Sequence, residues 1–237
     1  MAGGGPFSAG WLVLRLHRHY VVGAAARWAH GRLLDVGCGA QPLRRELAAH
    51  ARRVVGMERD RERYAATAPQ VWGSALALPF AADSFDTVYA SQVLEHVPEP
   101  GLMVSELSRV LRPGGHLILT APLMWGIHEQ PEDYFRFTRY GLQHLAGRAG
   151  LETLEVRAMA GFWVTTGART AAYLQRYRSR WPGVVVVVGP LIAAVQLAAL
   201  LLDRLNRVES ETWNYLLVAR RPTGPGSPGL HAEDRSC

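Results

Sequence analysis

The sequence predicts one doubly wound α/β domain built on a mostly parallel, seven-stranded sheet. Three observations predict it. Short apolar runs alternate with helix-forming stretches over about 120 residues, the pattern of strands joined by crossover helices. The first run closes on a glycine turn, Asp35-Val36-Gly37-Cys38-Gly39. Glu58, Ser74 and Ser91-Gln92 fall at the carboxyl ends of later runs, where ligands of such sheets lie.

Taken in order, residues 7–29 read as one or two amphipathic helices ahead of the sheet. Arg32 to Val36 is a short apolar run suited to a buried parallel strand. Pro42 to His50 reads as a helix with Leu43 and Leu47 on one face. Arg53 to Met57 is a second buried strand, closed by Glu58, and Val71 to Trp72 is a weakly marked third. Phe85 to Ala90 is the fourth, with Phe85 and Val88 as core and Asp86 ordering the loop before it. A helix from about Gly101 to Leu111 is expected to bury Leu102, Leu107, Val110 and Leu111. Arg112-Pro113-Gly114-Gly115 then stops it, and His116 to Ala121 is the fifth strand. Thr138 is placed to cap a helix running to about Arg148, which Gly150 ends. Leu151 to Val156 and Trp213 to Ala219 are the sixth and seventh strands. The domain thus spans 31–220, after N-terminal helices in 1–30 and before a tail, 221–237, that reads as disordered.

The 237 residues suit one sizeable domain with an insertion, and 49% apolar against 19% charged residues supports a packed core. All 26 basic residues are arginine, and the net charge is +6. These arginines are scattered rather than gathered into a stripe with aromatic interleaving, so no nucleic-acid partner is expected. A diffuse positive field favours anionic substrates or an anionic membrane surface. The two cysteines, Cys38 and Cys237, do not make a disulfide framework, which fits a reducing cytoplasm. The N-terminal apolar stretch is soon broken by Arg15, His17, Arg18 and His19, so it does not read as a signal peptide.

Glycines in the 35–39 turn allow close backbone approach to a ligand and dihedrals that a Cβ forbids. Glu58, 19 residues after Gly39, ends the next strand, where a ribose-binding carboxylate belongs. A nicotinamide enzyme is therefore an alternative. Its fingerprint needs a small residue at position 42 for close helix–strand packing, and this chain has Pro42. Asp35 would sit awkwardly beside a pyrophosphate, yet it suits the ammonium of a methionine moiety.

Leu33-Leu34-Asp35-Val36-Gly37-Cys38-Gly39 resembles the first motif of class I S-adenosylmethionine-dependent methyltransferases. Leu78-Pro79-Phe80, Ser84-Phe85-Asp86 and Leu94-Glu95-His96-Val97 are similar to the small-molecule branch typified by ubiquinone and menaquinone methyltransferases. Glu106-Leu107 through Leu111-Arg112-Pro113-Gly114-Gly115 continues the match, which covers about 31–157; Trp213 to Arg220 is similar to the family's final antiparallel strand. The resemblance implies a Rossmann-like fold and S-adenosyl-L-methionine as cofactor. It implies that Asp35, Gly37 and Gly39 hold the methionine end and that Glu58 binds the ribose hydroxyls bidentately. Position 74 often carries an aspartate for the adenine amino group in the family. Here Ser74 stands there, leaving its hydroxyl and the backbone at Ala75 and Leu76. Gln92 is expected to face the sulfonium. His96 reads as a helix-end hydrogen bonder, and no metal-ligating set is expected.

The stretch from Pro122 to Thr138 is too long and too rich in functional groups for a plain connection. Its His-Glu, Pro, Asp-Tyr, Arg and Thr pattern resembles methyltransferases associated with cell-surface glycans and their lipid carriers. His128 is the candidate general base, since its ordinary pKa lies near neutrality. Asp133 or Glu129 would orient it, and Arg136 would hold an anionic substrate group. Alternatively, His128, Asp133 and Arg136 form a hydrogen-bonded lid that shapes the pocket.

Residues 160–210 form an apolar insertion, and 184–202 contain 19 residues without a charge. A helix of that length approaches the thickness of a bilayer core. Tyr173, Tyr177, Trp181, Arg176, Arg178 and Arg180 precede it, as at a membrane interface. Because the last strand must rejoin the sheet, the segment is expected to be a hairpin with 162–174 as first leg, a helix lying in the interface, or a lid or dimer helix. Peripheral or monotopic attachment at the inner face of a cytoplasmic membrane is the favoured expectation. The overall expectation is a methyltransferase acting on a small or lipid- or glycan-linked acceptor. The alternative is a cofactor-binding scaffold without turnover.

Overall fold

The computed structural model describes residues 5–67, 69–180 and 185–224. Of the tail expected over 221–237, residues 225–237 lie outside these residues, as do Trp181 and the side chains of Arg178 and Arg180. Arg221 instead pairs with the domain, its amide donating to the Gly115 carbonyl at 2.9 Å.

A single helix, α1 (Trp11–Trp28), precedes the sheet. Then follow β1 (Arg32–Val36), α2 (Arg44–Ala48), β2 (Arg53–Glu58), α3 (Arg61–Tyr64) and β3 (Val71–Trp72). The second half-sheet comprises β4 (Phe85–Ser91), α4 (Pro100–Val110), β5 (Leu111–Pro122), α5 (Arg139–Arg148) and β6 (Glu152–Ala158). Two long helices, α6 (Phe162–Arg180) and α7 (Val185–Leu205), lead to β7 (Asn214–Arg220). The seven strands form one sheet in the order β3-β2-β1-β4-β5-β7-β6. All pairings are parallel except those of β7, which runs antiparallel to both β5 and β6. The order reverses between β1 and β4, so a crevice opens at the carboxyl ends of those strands.

β1, β2, β4 and β5 are apolar along most of their length because helices cover both faces of a parallel sheet. One core layer joins Leu34, Val36, Phe85, Val88 and Leu119 to Leu107 and Val110 of α4. The other packs Leu33, Tyr89 and Ile118 against Leu12, Val21 and Ala25 of α1. Asp86 orders the strand entrance as expected: its carboxylate accepts from the Arg32 amide at 2.7 Å and pairs with Arg112.

Three expectations need correction. Leu102 is 48% exposed, because α4 turns Met103, Val104 and Leu107 to the sheet instead. The helix expected over Pro42 to His50 is regular only over Arg44–Ala48. β5 begins at Leu111, since Arg112 to Gly115 bulge within the strand rather than separating it from α4.

The insertion is a helical hairpin with α6 as its first leg. Asp203 near the end of α7 accepts from the amides of Gly161 and Val164, so the start of α6 meets the end of α7. A buried carboxylate there also complements the positive end of α6. At the crossing, a Cβ on Gly167 would come within 2.5 Å of the Ala199 Cβ, so glycine sets the helix separation. Gln196 fastens the chain's start to α7. Its side-chain oxygen accepts from the Leu12 amide at 3.0 Å, and its nitrogen donates to the Pro6 and Ser8 carbonyls. α7 is the one helix among the described residues long and apolar enough to cross a membrane.

Candidate active site

β1 ends at the glycine turn, and two strand ends hold that turn in place. The amides of Gly37 and Cys38 both donate to the Met57 carbonyl of β2, at 2.9 and 3.1 Å. Gly37 and Gly39 have φ of 67° and 49°, in the left-handed region that glycine adopts at least cost. A Cβ on Gly37 would also come within 2.4 Å of Val93. The bare backbone is therefore required by both dihedral and space.

Asp35 is 6% exposed at the end of β1, and burial pushes its carboxyl up to about 7, with Arg44 opposing and Glu58 adding to the rise. The Cys38 thiol is pushed up to about 12 by burial and by both carboxylates, so it stays neutral. Glu58 accepts from the Gly39 amide at 2.9 Å through one oxygen, and from Arg59 and Asp60 through the other. A carboxylate has about four lone-pair sites, so a bidentate ribose grip requires one of these amides to yield. The oxygen facing Gly39 is the freer one. Two buried acids with a single opposing arginine make a pocket suited to a cationic ligand group.

Ser74 and Ala75 sit just beyond β3, tied to β2 by the Gly73 amide donating to the Glu58 carbonyl at 3.0 Å. The Ser74 hydroxyl accepts from the Leu76 amide at 3.2 Å, and Ala75 is 9% exposed. Asp35, Gly37, Gly39, Glu58 and Ser74 thus line one rim. Gln92 sits beyond β4 with φ of 56°, but its side-chain amide donates to Thr120 and Asn214, both at 3.1 Å. It faces the β5–β7 side of the crevice.

The stretch 122–138 arches over this rim. Its ends are fastened by the Leu123 amide to the Trp213 carbonyl at 3.0 Å and by the Phe137 amide to Pro122 at 2.8 Å. Arg59 pairs with Glu132, and Arg63 with Glu129 at 2.8 Å, so the arch is latched to the segment that follows Glu58. Glu129 is therefore turned to Arg63 and not to His128. Asp133 is the partner: its carboxylate accepts from the His128 amide at 2.9 Å and lies 3.4 Å from Nδ1.

Arg136 has an office other than clamping an anion. Its five N–H groups go to the Trp125, Gly126 and Phe135 carbonyls and to both oxygens of Asp133. All five donors of a guanidinium are thereby used, which leaves none for a substrate carboxylate or phosphate. The fork holds the Asp133 carboxyl far below its usual range. Arg136 and Asp133 are the pin that shapes the arch, and His128 is the side chain they carry.

Two groups near the crevice were not legible in sequence. His17 of α1 reaches the Ser91 hydroxyl with Nε2 at 2.8 Å, and Ser91 in turn contacts Thr120 at 2.8 Å. Burial lowers its pKa to about 4, so the ring is neutral. No periodicity singles out a contact spanning 74 residues. Glu95, inside the Leu94–Val97 motif, is fully buried and pushed up to about 8 by burial. Its backbone carbonyl accepts from the Tyr134 amide of the arch at 2.9 Å. His96 bonds the Glu132 carbonyl through Nδ1 at 2.6 Å, the hydrogen-bonding role its position suggested.

Comparison with known proteins places this architecture. A family model described as a methyltransferase domain matches residues 34–119. An uncharacterized methyltransferase of Mycobacterium avium (strain 104) is 35% identical over 175 residues, covering 65% of this chain and 69% of the relative. One of Mycobacterium leprae (strain Br4923) is 34% identical over 171 residues, and the match spans 63% of either chain. Among solved structures, the [4+2]-cyclase SpnF superposes with a TM-score of 0.63 at 22% identity, over 90% of this chain and 84% of that one. A phosphoethanolamine N-methyltransferase 2 of Haemonchus contortus, in complex with S-adenosyl-L-methionine, gives 0.57 at 16% identity, over 92% of this chain and 57% of that one.

Proposed function

We propose, since this chain belongs to the class I S-adenosylmethionine-dependent methyltransferase family, that it transfers a methyl group in line to a small or lipid- or glycan-linked acceptor bound under the 122–138 arch. The observation that carries this reading is the latching of the arch, with His128, to the segment beside Glu58. In this reading the rim and the arch border one site.

The residues fit the cofactor. The glycine cradle admits close backbone approach, and the buried Asp35 and Glu58 carboxylates offer what an ammonium and a ribose need. S-adenosylmethionine supplies, when bound, a methyl group on a sulfonium. Asp35 would hold the ammonium, whose charge favours the ionised carboxylate. Glu58 and Ser74 would hold the ribose and adenine ends. Positioning of this kind is worth about 7–11 kcal/mol of a displacement barrier. The acceptor would form its bond to that methyl carbon while sulfur keeps the electron pair of the carbon–sulfur bond, so the chain's part is to hold the two in line. The acceptor's proton would leave through His128, which the arch carries with Nδ1 turned to the Gly126 carbonyl.

We infer further that the hairpin rests on an inner membrane face, which would bring a lipid-linked acceptor to the arch. Val187, Leu191, Leu201 and Leu205 project from α7 at helical spacing with 45–75% exposure, and exposed Tyr173 and Tyr177 lie on the neighbouring helix.

Titration calorimetry with S-adenosylmethionine, S-adenosylhomocysteine and NAD tests the cofactor reading; absence of binding by the first two overturns it. His128→Ala is expected to lower turnover by about 100-fold with unchanged cofactor affinity. Unchanged turnover removes His128 from the chemistry. Flotation with anionic liposomes tests the membrane reading, which fails for a protein that remains in the dense fraction.

A further inference from the structure

We propose that Glu95, His96 and His128 form a binding site for one divalent transition-metal ion of the zinc type. The ligating atoms of the three side chains all lie within 4.8 Å of one another. Nε2 of His96 is 3.9 Å from a Glu95 oxygen, a gap that one ion about 2.1 Å from each atom spans. Tetrahedral ligation at about 2.1 Å sets ligand atoms about 3.4 Å apart, so the widest separation, up to 4.8 Å, must close by as much as about 1.4 Å on binding. His128 sits on the arch, outside regular secondary structure, and can supply that shift.

Each ligand is prepared in a different way. Glu95 is fully buried, and neither of its side-chain oxygens has a hydrogen-bond partner. Leaving an acid so placed unmatched is costly, and a cation is the partner that repays it. Both histidines direct Nδ1 at a backbone carbonyl, His96 at Glu132 and His128 at Gly126. A carbonyl only accepts, so each Nδ1 carries a proton, and the neutral form of each ring would offer its lone pair at Nε2. That arrangement is the one found for metal-bound histidine. The rings meet edge to face with centroids 4.8 Å apart. The nearby guanidinium of Arg136 is neutralised by Asp133, so it does not bar a cation.

Two imidazoles and a carboxylate suit zinc, cobalt or iron rather than magnesium or calcium, and three protein ligands leave a coordination position open. Since His128 belongs to the arch, that position would open beside it. The proposal rests on the acceptor reading above only in its use. With an ion bound, His128 would be a ligand and not the base; an acceptor oxygen held as fourth ligand would instead be acidified and would release its proton to water.

The test uses the full chain, stripped with a chelator and titrated with zinc and with cobalt. Mass-spectrometric metal analysis and cobalt absorption should show one tetrahedral ion per chain. His128→Ala and Glu95→Gln should each weaken zinc binding by about 100-fold while S-adenosylmethionine affinity holds. Should Glu95→Gln fail to fold, the His128 variant decides, because that ring is partly exposed on the arch. A stripped protein that takes up no stoichiometric zinc or cobalt overturns the proposal, and so does undiminished binding by His128→Ala. Methyl transfer that persists after stripping, yet falls in His128→Ala, rejects the metal and leaves the methyltransferase reading standing. Zinc binding without methyl transfer to any acceptor does the reverse.

Discussion

At the scale of single residues, the crevice concentrates groups whose charge state is set by burial. Asp35 is the clearest. Its folded pKa, about 7, stands above the ordinary 3.8, so the folded protein holds a proton that the unfolded chain releases between these values. Stability is therefore lost as pH rises through that window. Asp35→Asn should raise the melting temperature of the cofactor-free protein progressively from pH 5 to 8, with a ceiling of about 4 kcal/mol, and should abolish cofactor binding. Calorimetric melting across that range checks it; a pH-independent difference sinks it. His17 works in the opposite sense. Its folded pKa, about 4, lies below 6.5, so stability is complete above 6.5 and declines as pH falls toward 4. His17→Asn should be less acid-sensitive than the wild type by about 1–3 kcal/mol at pH 4.5. Parallel melting curves for the two proteins would refute the assignment.

At the scale of elements, the hairpin depends on one close crossing. Gly167 faces Ala199 where a Cβ would approach to 2.5 Å, while Asp203 and Gln196 tie the ends of α6 and α1 to α7. Gly167→Val should cost about 1–3 kcal/mol by forcing the helices apart. For a chain of this size that is about 2–4 °C of melting temperature per kcal/mol. Cofactor affinity should stay unchanged, since the crossing lies outside the 35–39 turn and its strands. A weakened cofactor affinity in this variant would show that hairpin and crevice are coupled.

At the scale of the whole molecule, the cofactor should act as a folding ligand, because the site proposed for it joins the ends of β1, β2 and β3. Saturation at about 100 times the dissociation constant adds about 2.7 kcal/mol. S-adenosylmethionine should thus raise the melting temperature by about 5–10 °C. Gly37→Val should abolish that rise, since the new side chain meets Val93 and strains a φ of 67°. A full ligand-induced shift in this variant would place the cofactor elsewhere.

The sequence by itself determined the sheet and the places of Asp35, Gly37, Gly39 and Glu58 at its strand ends. Strand and turn signals are local: Arg32 to Gly39 and Arg53 to Glu58 announce themselves through apolar runs that end in glycine or acid. The hairpin was one of several open arrangements, and the shared ends at Gly161 and Asp203 decided it. The arrangement of the 122–138 arch was decided only by tertiary structure. In sequence Arg136 has the character of an anion clamp, whereas in the fold three carbonyls and Asp133 use every donor it has. Glu95, His96 and His128 become a trio only because the arch folds back on the turn after β4. Periodicity records how a segment meets water and core. It carries no record of which distant side chains will share a pocket.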